Sequence, residues 1–251
     1  MKLTNSEKKI DDLGKMILSM KVSTPPGEID GASIERFEIT EDEVMRAMLY
    51  NGPRQYTAPG EYTRLMVDKK LWMSDTFAER VDHIEFIARC RDTGAKKILV
   101  TGLGLGMVIF GLVKHVPGLE EITVIEKDSR VVDLSSQYFQ NFGSDNNVKI
   151  SVILADARAP GDLFLLGSQF DAIWHDIWID ISEDNDYDEM FAAYSYTLNP
   201  KNDEAFQMYW GEGALNGGGE YDGYMGYLIE ITDMTQDHPV FEHDERALEQ
   251  G

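Results

Sequence analysis

The run Ile98-Leu-Val-Thr-Gly102-Leu-Gly104-Leu-Gly106 constrains this chain more than any other. Four residues suited to a buried strand pass directly into glycines at alternate positions and then into an apolar helical segment. Glycine accepts the left-handed backbone of a tight turn and lets main chain approach a ligand without a Cβ in the way. The helix that follows offers unpaired amide N–H groups in its first turn. Strand, glycine turn and helix make one βα unit, and the pattern then repeats through Ile98 to Thr101, Met107 to His115, Ile122 to Glu126, Ser129 to Phe142, Val148 to Leu154, a short helical stretch to Leu166, and Asp171 to His175. Repeated units of this kind with right-handed crossovers build a mostly parallel sheet with helices on both faces, and they place ligands beyond the carboxyl ends of the strands.

The expected fold is therefore α/β, Rossmann-like, over residues 76–251, with an irregular C-terminal part. Residues 1–75 read as an N-terminal helix and a small α+β lobe. Ile10, Leu13, Met16, Ile17 and Met20 recur at helical spacing, and that helix is expected to be peripheral; Ser23 to Gly31, with Pro25-Pro26, reads as a linker. A strand over Arg36 to Ile39 precedes a helix opened by Thr40, with Glu43 three residues later in capping-box spacing. Two strand-like runs flank Asp68-Lys69-Lys70, and one helix from about Thr76 to Arg91 leads through Thr93-Gly94 into the sheet. Beyond Asp180, residues 184–198 look helical, Gly217-Gly218-Gly219 reads as a loop, and Tyr224 to Thr232 and Val240 to His243 are candidate strands.

Composition removes several function classes. With 45 acidic against 23 basic side chains the net charge is −22, a field that repels a duplex backbone or an anionic membrane, and no segregated basic face is visible. Nucleic-acid and membrane partners are not expected. The longest apolar stretch, Ile98 to Val113, contains four glycines and is shorter than the roughly 20 residues a bilayer core requires. No apolar signal-peptide core follows the polar, lysine-rich start, and Cys90 is the single cysteine, so a reducing, cytoplasmic setting is expected. Cys90 sits in a helical stretch and reads as packing rather than as a nucleophile.

The glycine run lacks the third glycine of a dinucleotide fingerprint, because position 107 is Met107; the spacing points away from a nicotinamide cofactor. Taken alone, the glycines could equally be a tight turn packed under a helix. Glu126 ends the second strand 24 residues after Gly102, where a carboxylate can accept hydrogen bonds from both hydroxyls of a ribose; the plainer reading is a solvated strand-end acid beside Lys127. The third strand ends in Asp156-Ala157, where an acid can receive an adenine amino group and the next amide can serve the ring. The fourth ends in Trp174-His175-Asp176. Four strands each ending in a glycine or polar feature at one edge are far more specific than any one of them.

Between Tyr62 and Asp180 the chain resembles the class I S-adenosylmethionine-dependent methyltransferases, and within them the spermidine synthase-like branch. The resemblance is carried by Tyr62-Thr-Arg-Leu-Met-Val-Asp-Lys-Lys70, Trp72-Met-Ser-Asp-Thr-Phe-Ala-Glu79, Asp82-His83, Gly102-Leu-Gly-Leu-Gly106-Met107, Val124-Ile-Glu126, Ala155-Asp156-Ala157 and Trp174-His-Asp-Ile-Trp178. Met-Ser-Asp-Thr, Gly-Leu-Gly-Leu-Gly-Met and Trp-His-Asp-Ile-Trp together also look like a group of bacteriophage-encoded methyltransferase-like proteins, which implies a phage origin and a host-cytoplasm location. The resemblance implies S-adenosylmethionine as cofactor, with Gly102, Leu103, Gly104 and Gly106 as the cofactor loop, Glu126 as the ribose acid with Lys127 beside it, and Asp156 with Ala157 as the adenine contact. It implies Asp176 as the acid that helps deprotonate an attacking amine. It places Ser74 where those enzymes carry a cofactor-contacting glutamine, and it matches Glu85 to their helix glutamate and His83 to a tyrosine, both on the substrate side with Trp178.

The chain also departs from that pattern. Leu105 stands where spermidine synthases put an aspartate facing the amino end of a decarboxylated cofactor, and Ile179 stands where their second strand-four aspartate belongs. Val100 replaces the acid that many methyltransferases carry two residues before the first glycine. Leu105 and Ile179 weigh toward methyl transfer to a small-molecule or protein acceptor, and Val100 means that the methionine moiety must be bound by other groups. Aminopropyl transfer to a polyamine and a non-catalytic, cofactor-sequestering protein are the alternatives, and homo-oligomerisation stays open. For proton handling the expected groups are Asp176 and, second, His175, which strand alternation turns to opposite faces. Trp72, Trp174 and Trp178 could flank a cation or belong to the core. The acids Asp180, Glu183, Asp184, Asp186, Asp188 and Glu189 read as a solvated helix start or as a lure for a cationic acceptor. Asp184, Asp186 and Asp188 mimic the opening of a calcium loop, but Glu189 and Ser195 break it, and no metal is expected.

Overall fold

The structure is a computed structural model that describes residues 5–44, 46, 57–159, 169–180, 182 and 185–212. Helix α1 (Asn5–Ser19) precedes a four-stranded antiparallel meander of β1 (Gly27–Ile29), β2 (Ala32–Ile39), β3 (Gly60–Val67) and β4 (Lys70–Ser74). Helices α2 (Phe77–Val81) and α3 (Ile84–Thr93) lead into β5 (Lys97–Thr101), α4 (Met107–His115), β6 (Glu121–Glu126), α5 (Ser129–Asp145), β7 (Lys149–Leu154), β8 (Ala172–His175), α6 (Tyr187–Tyr194) and β9 (Phe206–Tyr209). The second sheet is ordered β7-β6-β5-β8-β9 and is parallel throughout. The strand order reverses between β5 and β8, the point at which an open parallel sheet leaves a crevice at its carboxyl edge.

Strand alternation shows that this sheet is covered on both faces. Ile98 and Val100 of β5 join one buried cluster with Trp174, whereas Leu99 joins a second with Ile125, Ile173 and Tyr194. The first cluster is the larger and takes in the lobe: Ala32 and Ile34 of β2 and Leu65 and Val67 of β3 belong to it. The β3–β4 turn places Asp68 at φ 49° and Lys69 at φ 64°, the left-handed pair that matches the twist of a two-residue hairpin. Arg130 of α5 fastens that turn by hydrogen bonds to Asp68 (2.8 Å) and to the Asp30 carbonyl (3.1 Å).

Three N-terminal expectations change. The first helix is not peripheral: Met16, Ile17 and Met20 are fully buried against the main core, because its apolar stripe is the cover for α2, α3 and α4. The linker is partly a strand, since Gly27–Ile29 pairs with Ala32–Ile34. The helix expected from Thr76 to Arg91 breaks at Asp82-His83, where the His83 amide bonds to the Arg80 carbonyl and the His83 ring takes the Glu79 carbonyl. The capping box is present: the Thr40 amide donates to Glu43 Oε2 at 2.8 Å and the Glu43 amide to Thr40 Oγ1 at 3.4 Å. Cys90 is buried in the core and burial pushes its thiol pKa up, as a packing role requires. Of residues 184–198, the helical part is Tyr187–Tyr194 with a 3-10 turn over Ser195–Thr197. The stretch to Leu166, Gly217-Gly218-Gly219 and the two C-terminal candidate strands lie outside the described residues; β9 was not anticipated.

Candidate functional site

A cleft of about 570 Å³ opens at the carboxyl edge of the parallel sheet. Its floor is the end of each strand in turn: Gly102 and Gly104 after β5, Glu126 to Ser129 after β6, Asp156 to Arg158 after β7, and Asp176 to Ile179 after β8, while Leu65, Trp72 and Met73 of the lobe form the far wall. The volume falls within the ~300–1,000 Å³ usual for small-molecule sites.

The glycine turn is shaped by contacts that exclude side chains. Gly102 has φ 95°, and a Cβ there would sit 1.8 Å from the Asp176 carbonyl oxygen. A Cβ on Gly106, which begins α4 at φ 71°, would sit 2.0 Å from Phe139. Gly102 thus lets β5 and β8 end side by side at the crevice, whereas Gly106 serves helix packing and lies off the cleft. The loop between them is pinned by Glu126, which accepts the Leu103 amide and the Asp128 amide, both at 2.8 Å. Burial raises the Glu126 pKa while those amides pull it down. The Lys127 amide also donates to Glu126, and the carboxylate keeps lone-pair capacity for a hydroxyl donor from the cleft.

Lys127 and Asp156 face each other across the β6 and β7 ends at 2.7 Å, and the Arg158 amide donates to Asp156 Oδ1 at 3.0 Å. Lys127 holds the Asp156 carboxyl below its usual range. Ala157 is buried, with its carbonyl taken by the Tyr194 hydroxyl at 2.9 Å. Opposite them, Trp178 forms part of the wall, its indole N–H donating to Asp186 at 2.8 Å and its ring 4.5 Å from that of Tyr187. Trp72 also lines the cleft, whereas Trp174 is core. Of the acidic run, Asp180 is exposed and Asp186 is paired with Arg158 at 2.7 Å; Glu183 and Asp184 lie outside the described residues.

Asp176 reaches the cleft from β8 with a side chain only 8% exposed, and its Oδ2 lies 3.3 Å from His83 Nε2. His83 is buried and held by its Nδ1, which donates to the Glu79 carbonyl at 2.8 Å. The Glu79 carboxyl in turn accepts the Ser74 amide, at 3.0 Å to each oxygen, and the Ser74 hydroxyl. Burial pushes the Glu79 pKa up to about 7.

Leu103, Gly106 and His83 are not among the residues lining the cleft, and three further expected site residues are placed elsewhere. His175 turns away from Asp176 into the opposite face, fully buried between Thr101 (3.1 Å) and Gln207 (3.0 Å), and burial brings its pKa down to about 4. An imidazole so enclosed cannot reach a reacting group in the cleft. Ser74 faces Glu79 and Thr76 instead of the cavity, while Trp72 and Met73 both take the wall position at a register irregularity between β3 and β4. Glu85 lies on the exposed side of α3, clear of the cleft. The residues that sequence reasoning missed are Met73, whose sulfur accepts the Leu105 amide at 3.3 Å, together with Asp128, Arg158 and Glu79. The four-residue spacing of Glu79 and His83 was a visible signal for the last of these. Among the described residues no cluster of His, Cys, Asp and Glu could hold a metal ion, and no helix is long and apolar enough to cross a membrane.

Parts of this chain are similar to known proteins. The spermine/spermidine synthase domain model matches residues 78–199, just under half of the chain and the segment that supplies Glu126, Asp156 and Asp176. A polyamine aminopropyltransferase of Sodalis glossinidius (strain morsitans) is 34% identical over 82 residues, 32% of this chain and 27% of that protein. A putrescine N-methyltransferase 2 of Nicotiana attenuata is 32% identical over 65 residues, 26% of this chain and 17% of that protein. The matched segments therefore span about a quarter or less of these curated relatives. Among solved structures, spermidine synthase from Thermotoga maritima aligns with a TM-score of 0.42 at 18% identity, over 71% of this chain and 54% of that one.

Proposed function

We propose that this chain binds S-adenosylmethionine in the cleft and transfers its methyl group to a small-molecule or protein acceptor. The observation that carries the reading is convergence: acids at the ends of three successive core strands, Glu126, Asp156 and Asp176, border one cavity around the Gly102 turn. Their spacing along the sheet edge suits a nucleoside with its ribose at Glu126, its adenine at Asp156 and Ala157, and its reactive end toward Asp176. The similarity of residues 78–199 to spermine/spermidine synthase domains supports the same class of donor.

Such a donor supplies an electrophilic carbon on a sulfonium, so the protein's work is alignment and exclusion of water. The floor glycines bring main chain close to the donor, Trp72 and Trp178 wall the cleft with aromatic surface, and Asp176 stands where an acceptor N–H or O–H would present its proton. Methyl transfer is favoured over aminopropyl transfer because Leu105, fully buried, leaves no carboxylate between Gly104 and Gly106 to face the amino end of a decarboxylated donor. Similarity to a polyamine aminopropyltransferase keeps transfer to a polyamine as the second reading. A cofactor-sequestering role, with the phage and host-cytoplasm setting, rests on the sequence motifs alone.

Incubation with methyl-labelled S-adenosylmethionine and a metabolite extract or protein lysate tests the proposal. Label passing to an acceptor, with none passing in the Asp176→Asn variant, is the expected result. Spermidine formed from decarboxylated donor and putrescine would replace it with the polyamine reading, and tight donor binding without transfer to either acceptor pool would leave sequestration.

A further inference from the structure

We infer that His83 and Asp176 hold one proton between them, and that donor binding expels it, converting the pair into the base that takes the acceptor's proton. The inference rests on the function proposed above for the donor. The pair itself is read from geometry.

A backbone carbonyl has no proton to give, so the 2.8 Å contact from His83 Nδ1 to the Glu79 carbonyl fixes a hydrogen on Nδ1. The other ring nitrogen faces Asp176 Oδ2 at 3.3 Å. A lone pair against a carboxylate would be repulsive there, so a second hydrogen lies between Nε2 and Oδ2; the raised pKa of His83 puts it on the ring, and the resting pair is imidazolium and carboxylate. Burial of both side chains, 1% and 8% exposed, disfavours the imidazolium, and the hydrogen bond and charge of Asp176 outweigh it with help from neighbouring groups. The other charged groups facing His83 are Glu79 from α2 and Asp82 from the turn, both of which also favour the imidazolium, while the Trp174 ring of β8 packs 5.5 Å away. The resting pair cannot accept a further proton near neutrality.

A sulfonium beside Asp176 adds positive charge to a nearly dry site and disfavours the imidazolium. The proton leaves to solvent, and neutral imidazole with carboxylate remains. In the transfer step the acceptor's lone pair forms its bond to the methyl carbon as the carbon–sulfur bond breaks. That bond's electron pair stays on sulfur, and the acceptor's proton passes to Asp176 and His83, restoring the resting pair. His83 is thus a positioning and proton-holding residue that acts through Asp176.

Two measurements test this. Nitrogen NMR of the free protein, with the His83 ring assigned through its backbone, should show both ring nitrogens protonated at about pH 7 and a titration midpoint above that of an ordinary histidine. The midpoint should fall in Asp176→Asn and by less in Glu79→Gln. Calorimetry with S-adenosylmethionine in buffers of different ionisation heat should show release of up to one proton per protein, lost in both His83→Gln and Asp176→Asn. A neutral His83 ring at that pH, or a midpoint unmoved in Asp176→Asn, would overturn the pair. Donor binding with no proton released at any pH around the midpoint would overturn its expulsion. Absence of donor binding would instead refute the proposed function and leave the NMR result to judge the pair.

Discussion

Replacing Gly102 with alanine tests whether the crevice depends on two strand ends meeting without a side chain between them. Gly118 supplies the internal control, because it has a similar left-handed backbone, φ 78° against 95°, with nothing within 4 Å of an added Cβ. Gly118→Ala therefore measures the backbone strain alone, about 1–2 kcal/mol. Gly102→Ala adds a Cβ 1.8 Å from the Asp176 carbonyl oxygen and 2.8 Å from its carbon, and both atoms are main chain that no rotamer change can move. The β8 end must shift by more than an ångström, about 1–3 kcal/mol of overpacking. That shift strains the Asp176 amide bond to Thr101 and the Gly102 amide bond to Ile125, both 2.8 Å. Each is worth about 0.5–1.5 kcal/mol. The sum for Gly102→Ala is about 3–8 kcal/mol, about 2 or more above the control. Urea denaturation of the two variants, read at equal m-value, gives the difference directly. Equal destabilisation of Gly102→Ala and Gly118→Ala would refute the argument that close approach, and not turn conformation, is why glycine stands at 102.

Met16→Ala should cost about 2–5 kcal/mol in the same assay, because its fully buried side chain is core; a loss below about 1 kcal/mol would restore a peripheral helix. His175 carries a pH signature: its folded pKa of about 4 lies below the ordinary value of about 6.5. Stability it contributes is present above about 6.5 and lost as pH falls toward 4, so His175→Gln should flatten the acid limb of a stability–pH curve while leaving donor affinity unchanged. Glu79 has the opposite sign, since its folded pKa of about 7 is raised and the native state binds more protons than the unfolded chain between about 4.5 and 7. Wild-type stability should fall as pH rises through that window, and Glu79→Gln should remove that fall; an unchanged slope would refute the assignment.

Much of the parallel sheet was legible because each strand is bounded by glycine or an acid and each helix repeats apolar residues at helical spacing. Glu126, Asp156 and Asp176 could be named from strand ends alone, since in a parallel sheet all such ends lie on one edge. The misreadings share a cause: periodicity reports which residues are apolar, not what covers them. Met16 and Met20 gave a helix but not its burial, because the elements they cover are distant in sequence. The break at Asp82-His83 was hidden because it depends on an imidazole capping the Glu79 carbonyl, a contact with no propensity signature. Ser74 was named by its motif position, and the register irregularity that turns both Trp72 and Met73 to the cleft has no signature in the residue pattern. His175 and Asp176 were correctly expected on opposite faces, and only the packing of Gln207, Phe191 and Tyr194 showed how completely the first is enclosed.

Donor binding and methyl transfer both require that the cleft between Gly102, Glu126 and Asp156 be a nucleoside site. Calorimetric titration of S-adenosylmethionine into the wild-type chain and into Glu126→Ala and Asp156→Ala measures this most directly, with urea midpoints recorded for each variant. Saturable one-to-one binding, weakened by about 1–3 kcal/mol in each variant while the protein stays folded, is the predicted result. Binding of equal strength in all three chains, or no binding to the wild type, would contradict it.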